Sequence, residues 1–144
     1  GKSVVVSPDG SRVYVTGYSW AVPSEFDYTT LAYDAATGVL VWGRRYQGLG
    51  GGDDYAVAVA VTPDGRYVYA TGYADNGASG YDYASAGYDA STGGSLGARV
   101  YNGPANRSDY AFAMAVSSTV VFITGESDGG PTAHYDYATA AYQI

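Results

Sequence analysis

The chain has 144 residues with a formal net charge of −7; charged side chains make up 15% of it, while glycine (21) and tyrosine (17) are abundant. Low charge with many aromatic side chains excludes intrinsic disorder. Acidic side chains outnumber basic ones and no basic cluster is present, which excludes nucleic-acid binding, because that binding depends on neutralising phosphates. The absence of cysteine excludes a disulfide framework and thiolate metal sites.

Short segments rich in β-forming residues alternate with tight-turn signals along the chain. The first unit predicts strands at 3–6, 12–17, 27–34 and 40–46. In the second unit, residues 55–61 alternate alanine with valine, so we expect a strand that is buried on both faces. Strands at 66–72, 82–89 and 96–101 follow. The third unit predicts strands at 110–116, 120–125 and 136–144 and no fourth strand.

These units are repeats with a spacing of about 55 residues, because Ser7-Pro8-Asp9-Gly10 returns as Thr62-Pro63-Asp64-Gly65. Four antiparallel strands joined by tight turns are typical of a β-propeller blade. We therefore predict an all-β fold of eleven strands, which is just under three blades. The single domain divides into blades at 1–48, 49–103 and 104–144, and the last blade lacks its outer strand.

Fewer than three blades do not close into a ring. The first and last blades would each leave an apolar face uncovered, and such faces associate. The sequence therefore predicts partners of one of two kinds. Either copies form a homo-oligomer, of which a dimer with six blades is the simplest, or the chain belongs to a longer propeller. No apolar run is long enough to predict a membrane span.

A resemblance to known repeats rests on Val-Tyr-Val-Thr-Gly-Tyr at 13–18, on 27–34, and on Trp42. With Arg45-Tyr46, this pattern resembles bacterial SBBP-type β-propeller repeats, and Asp-x-x-Thr-Gly-x-x-x-Trp at 34–42 is similar to quinoprotein-like propeller repeats. The resemblance implies a propeller in a secreted or cell-surface protein. The second unit departs from it, since Gly97 stands where Trp42 stood. We predict no cofactor, because the metal ligands and the tryptophan platform of the quinoproteins have no counterpart here.

A ligand site is expected where the units differ. Turns between the first and second strands, and between the third and fourth, are nearly identical among units. The connections at 18–26, 73–81 and 126–135 differ, and variable loops on a rigid scaffold are the usual place for function. The candidate ligand-binding residues are Trp20, Glu25, Phe26, Asp75, Asn76, Glu126, Asp128 and His134.

A second set of residues recurs in every unit at the start of a first or third strand: Asp27, Asp54, Asp82, Asp109 and Asp136. Five carboxylates on one face suggest an acidic ring for a cation such as Ca²⁺. Alternatively, each aspartate caps backbone N–H groups while the tyrosine that follows it packs between blades. Regular recurrence favours the structural role, so we predict no metal site.

These observations favour a non-enzymatic module that acts as a binding or protein-interaction scaffold. One alternative is a carbohydrate-binding propeller that uses the variable loops. Another is a fragment of a propeller hydrolase or lyase. No catalytic residue is assigned, because His134 is the only histidine and a nucleophile–histidine pair would depend on it alone.

Overall fold

The computed structural model describes residues 1–20, 25–132 and 134–144, which form eleven strands in three separate antiparallel sheets, as predicted. Blade 1 contains β1 (Ser3–Val6), β2 (Arg12–Trp20), β3 (Phe26–Asp34) and β4 (Leu40–Tyr46). Blade 2 contains β5 (Asp54–Val61), β6 (Tyr67–Asp75), β7 (Tyr81–Asp89) and β8 (Ser95–Tyr101), with a short 3₁₀ helix at Gly77–Ser79. Blade 3 contains β9 (Asp109–Val116), β10 (Val120–Asp128) and β11 (Tyr135–Gln143). No helix in these ranges is long and apolar enough to cross a membrane.

The second strand of every blade is longer than predicted. The strands expected to end at residues 17, 72 and 125 continue to Trp20, Asp75 and Asp128. Cross-strand aromatic pairs such as Tyr18 opposite Tyr28 extend the hairpins. The predicted loops at 18–26, 73–81 and 126–135 were therefore too long. Some of the candidate ligand-binding residues lie in strands and the others lie in the connections between strands. The candidates in strands are Trp20, Phe26, Asp75, Glu126 and Asp128.

Trp42 anchors the contact between blades 1 and 2. Its indole N–H donates to the backbone oxygen of Ala90 in blade 2 at 3.0 Å, and the Tyr14 hydroxyl donates to the same oxygen at 3.2 Å. Val59 and Tyr88 of blade 2 lie in the same buried cluster as these two rings. The blades are thus held face to face by apolar packing and by two buried hydrogen bonds to the Ala90 oxygen.

A tyrosine in the third strand repeats at both contacts between blades. The Tyr28 hydroxyl donates to the oxygen of Ala84, and the Tyr83 hydroxyl donates to the oxygen of Ala138, each at 3.2 Å. Both rings are fully buried. Blade 1 therefore contacts blade 2, and blade 2 contacts blade 3, through the same residue of the repeat.

Candidate binding face

One face of the three blades carries the connections between second and third strands and the connections between blades. Here β2, β6 and β10 end, and β3, β5, β7, β9 and β11 begin. We call this the loop face. All eight candidate ligand-binding residues lie on it, whereas Pro23, in the first predicted loop, lies outside the described residues.

Aromatic rings form an unbroken line of contacts along the loop face, with neighbouring centroids 4.8 to 6.2 Å apart. We call this line the aromatic arc; it consists of Trp20, Phe26, Tyr18, Tyr55, Tyr73, Tyr81, Tyr110 and Tyr135. The ring contacts between Tyr18 and Tyr55 (4.8 Å) and between Tyr73 and Tyr110 (5.0 Å) cross from one blade to the next. Both are edge-to-face, an arrangement that adds stability beyond the area buried.

Two glycines allow the arc to form. The register between β5 and β6 shifts beside Gly72, and the register between β9 and β10 shifts beside Gly125. At these shifts the strands approach so closely that a Cβ atom on Gly72 would lie 1.9 Å from the oxygen of Tyr55. A Cβ atom on Gly125 would lie 2.0 Å from the oxygen of Tyr110. Glycine is therefore required for the backbone that carries two rings of the arc.

Asp53 links blades 1 and 2 beneath the arc. One carboxylate oxygen accepts the backbone N–H of Phe26 at 2.8 Å, and the other accepts the Tyr55 hydroxyl at 2.7 Å. The bond from Phe26, and then the bond from Tyr55, lowers the pKa of Asp53. The bond to Asp53, together with burial, raises the pKa of Tyr55. Asp53 therefore fixes the positions of two arc rings that belong to different blades.

The aspartates that open the first strands are buried and bind backbone amides. Asp54 accepts the N–H groups of Gly48 at 2.6 Å and Asp75 at 2.9 Å, and Asp109 accepts the N–H of Gly103 at 2.5 Å. Both carboxylates hold the connection that leads into their blade. At these two positions the carboxylates cap backbone N–H groups.

The aspartates of the third strands have side-chain partners. Asp27 accepts from Arg45 at 3.0 Å, and Asp82 accepts from Asn76 at 2.9 Å and from Ser79 at 2.8 Å. Asp136 is exposed and accepts the N–H of the next residue. Within the described ranges, no group of three or more His, Cys, Asp or Glu side chains is placed to hold a metal ion.

Lowering the pH from 7 to about 4.5 is expected to stabilise this fold by about 1–2 kcal/mol, allowing for screening by nearby solvent. Burial raises the pKa of Asp54 to about 6, against the two backbone N–H groups that favour its charged form. The folded state then binds the proton more tightly than the unfolded chain, so stability falls as the pH rises through 6. Burial also raises the pKa of Asp82.

Urea unfolding across this pH range measures the effect. Asp54→Asn should flatten the slope, whereas Asp53→Asn should keep it, because the lowered pKa of Asp53 places its titration below the window. An unchanged slope in Asp54→Asn would show that this carboxyl does not carry the effect.

The predicted ligand-binding residues are spread along the loop face. Trp20, Asp75 and Asp128 end the second strands of three different blades. Trp20 and Phe26 lie together, with ring centroids 5.4 Å apart. Asp75 accepts the N–H groups of Gly52 and Gly77, so its carboxylate stabilises its own connection.

The remaining candidates have separate surroundings. Asp128 accepts the N–H of Gly130 at 2.8 Å, and Asn76 donates to Asp82. Glu126 borders an open groove of about 540 Å³ beside Tyr135. The side chains of Glu25 and His134 are exposed.

Sequence reasoning missed six tyrosines of the arc: Tyr18, Tyr55, Tyr73, Tyr81, Tyr110 and Tyr135. The sequence contained a signal for them. An aromatic residue follows Thr-Gly in the first two units, follows the aspartate of the first strand in the last two, and precedes the aspartate of the third strand in all three. The arc shows that equivalent residues of successive units can also form a continuous surface.

The arrangement of strands is similar to that of two solved structures. The hydrazine synthase of Kuenenia stuttgartiensis matches with a TM-score of 0.67 and 15% identity, over 97% of this chain and 38% of that chain. The WD40 repeats of RRP9 match with a TM-score of 0.55 and 14% identity, over 96% of this chain and 37% of that chain. This chain thus spans less than two fifths of either protein, and identities this low concern the fold alone.

No protein-family model matches the chain, and no curated protein matches it. WD40 repeats form β-propellers in which each blade is a four-stranded sheet. The described strands follow this plan, with two sheets of four strands and one of three in an open arrangement. The predicted fold class is therefore confirmed: the chain is an all-β protein built from propeller blades.

Proposed function

We propose that this chain is a non-enzymatic propeller module that acts as a binding scaffold, with the aromatic arc of the loop face as its contact surface. The observation that carries the proposal is the continuity of the arc across all three blades. Trp20 and Tyr135, at its two ends, are exposed, and the rings between them are half-buried. A ligand that covers the arc would bury apolar ring surface on a rigid support.

Protein partners suit this surface. Tyrosine and tryptophan are enriched at protein interfaces, since a large, stiff ring contributes contact area at a low cost in conformational entropy. The arc rings are already held by each other and by Asp53, so binding would order few side chains. We therefore infer a partner that presents a peptide or protein surface along the arc.

A carbohydrate ligand is the second candidate. The exposed Trp20 ring packs against Phe26, the residue that follows the exposed Glu25. Tyr135 borders the same groove as Glu126. A ring face next to a carboxylate suits a sugar, because the ring packs against C–H groups while the carboxylate accepts hydroxyl protons. Because the chain resembles SBBP-type repeats, we also propose that the protein is secreted or lies at the cell surface.

Removing the arc's exposed ends is expected to weaken binding about tenfold for each ring. The intact chain is applied to a glycan array and to a phage-displayed peptide library, and the affinity of the best ligand is measured for Trp20→Ala and Tyr135→Ala. Val39→Ala is the control, because Val39 is equally exposed but lies in the turn between β3 and β4, on the opposite face. Peptide ligands would support the scaffold, and glycan ligands the second candidate. The proposal would be contradicted if neither the array nor the library yields a ligand. It would also be contradicted if the ligands bind both arc variants as tightly as they bind the parent chain.

A further inference from the structure

The net charge of the chain lies on the loop face. Four of the 14 acidic side chains lie in or beside the turns of the opposite face: Asp9, Asp34, Asp64 and Asp89. The other ten lie on the loop face, together with three basic side chains: Lys2, Arg45 and Arg107. The remaining four basic side chains balance the four acidic ones, so the formal charge of −7 belongs to the loop face. A surface with this excess of one sign attracts partners of the opposite sign.

The three basic side chains of the loop face are placed against groups of the same face. Arg45 and Arg107 form ion pairs with aspartates at 3.0 and 3.7 Å. The exposed Lys2 lies against the aromatic arc, with its Nζ atom 5.3 Å from the centroid of the Tyr18 ring. The negative face of an aromatic ring attracts a cation in this position. Lys2 therefore shows which chemical group a ring of the arc accepts.

Carboxylates accompany the rings of the arc. Asp53 and Asp75 lie near Tyr81, and their charges, after burial, raise the pKa of its hydroxyl. Asp53 is charged at neutral pH, because the bonds from Phe26 and Tyr55 lower its pKa. A cation above the arc is therefore attracted by the ring faces and by nearby carboxylates at the same time.

We propose that the partner of the aromatic arc is a basic segment of another protein, which lies extended along the arc and places lysine or arginine side chains over its tyrosine rings. This inference rests on the proposed function, because it names the chemistry of the partner for the same surface. Charge complementarity favours a basic partner over a neutral one, and the loop-face carboxylates repel an acidic one.

The spacing of the rings suits an extended peptide. The four rings at the centre of the arc follow one another at centroid distances of 4.8, 5.3 and 5.0 Å: Tyr18, Tyr55, Tyr73 and Tyr110. Side chains two positions apart on an extended strand project to the same side, about 6.7 Å from each other. The flexible stems of lysine and arginine cover the difference and pack on the rings while their charged ends stay near the carboxylates. Basic residues at alternate positions can therefore reach successive rings.

Three fluorescein-labelled peptides of about nine residues test the charge of the partner on the intact chain. Each alternates serine with one other residue, which is lysine, glutamine or glutamate. In fluorescence anisotropy, the lysine peptide is expected to bind about tenfold more tightly than the glutamine peptide, and the glutamate peptide more weakly than either. Raising sodium chloride from about 50 to about 200 mM should weaken the lysine peptide, because salt screens exposed charges.

Lys2→Met is expected to tighten binding of the lysine peptide about fivefold, because it frees the Tyr18 ring for a cation of the ligand. Arg66→Met is the matched control. The Arg66 guanidinium also lies over a ring, 5.2 Å from the centroid of Tyr67, but at the opposite face. The nine residues of β6 separate it from the loop face by about 30 Å, or about three Debye lengths, so the affinity should change less than about twofold. A gain in affinity also cannot come from misfolding.

Two results would overturn the basic partner and leave the proposed function standing. One is that the lysine peptide binds no more tightly than the glutamine peptide, or not at all, while ligands from the library are still weakened by Trp20→Ala. The other is that Lys2→Met and Arg66→Met tighten binding equally, since the peptide would then be attracted to the acidic chain as a whole. If neither these peptides nor the library and the array provide a ligand, the basic partner and the proposed function both fail.

Discussion

Trp42→Ala is expected to lower the free energy of unfolding by about 3–5 kcal/mol. The indole is 5% exposed between blades 1 and 2, with ring centroids 5.9 Å from both Tyr14 and Tyr88. Alanine removes these contacts and leaves a cavity where two sheets meet. It also removes the N–H that donates to the Ala90 oxygen at 3.0 Å. Urea unfolding at constant pH measures the loss.

Two further variants separate the causes. Trp42→Phe keeps much of the volume but no donor, so its loss should be intermediate. Val41→Ala changes the preceding, exposed residue and should cost less than about 0.5 kcal/mol. If Trp42→Ala costs no more than Val41→Ala, the contact between blades 1 and 2 does not depend on the indole.

The repeat contains a natural counterpart to this substitution. Gly97 takes the position of Trp42 in blade 2, and a cavity of about 330 Å³ lies there, bordered by Tyr69 and Tyr142. The two contacts between blades are therefore unequal, although their strands are equivalent. The departure from the repeat at Gly97 was visible in the sequence, and the cavity is its physical consequence.

The strands and tight turns could be predicted because their causes are local. Alternating alanine and valine at 55–61 predicts a buried strand, and the turn at 62–65 is closed by Asp64, which accepts the Thr62 hydroxyl at 2.6 Å and the Arg66 N–H at 3.1 Å. The ends of the second strands were less predictable. Pairing across the sheet decides them, as where Tyr18 faces Tyr28.

The aromatic arc could not be derived from any one segment. Tyr18 contacts Tyr55 and Tyr73 contacts Tyr110, each across a contact between blades. The sequence shows that these tyrosines recur, but their spatial neighbours depend on how successive blades pack. The search for residues that differ between units identified Trp20, at one end of the arc, and missed the rings that continue it.

Gly72→Ala is expected to lower the free energy of unfolding by about 3 kcal/mol or more and to displace Tyr55 from the arc. The added methyl group would lie 1.9 Å from the Tyr55 oxygen and 2.9 Å from the Cα atom of Ala56, and both neighbours are backbone atoms that cannot rotate away. Gly72 is not among the glycines with positive φ, so the strain is steric and does not arise from its dihedral angles. The strands β5 and β6 must separate to admit the group.

A control substitution at another glycine and a second measurement distinguish the displacement of Tyr55 from a general loss of stability. Gly94→Ala adds the same methyl group in the turn between β7 and β8, where its nearest neighbour is the Thr92 hydroxyl oxygen at 3.3 Å, so it should cost much less. Near-ultraviolet circular dichroism reports the packing of tyrosine rings, and Gly72→Ala should reduce it at temperatures where the chain is still folded. Gly125→Ala should do the same, because its methyl group meets the Tyr110 oxygen at 2.0 Å. Equal stability and equal tyrosine signals for Gly72→Ala and Gly94→Ala would mean that close approach at Gly72 does not position the arc. If Gly72→Ala and Gly125→Ala both reduce the near-ultraviolet signal, the glycine that follows the threonine in β6 and in β10 is what allows the rings of successive blades to meet.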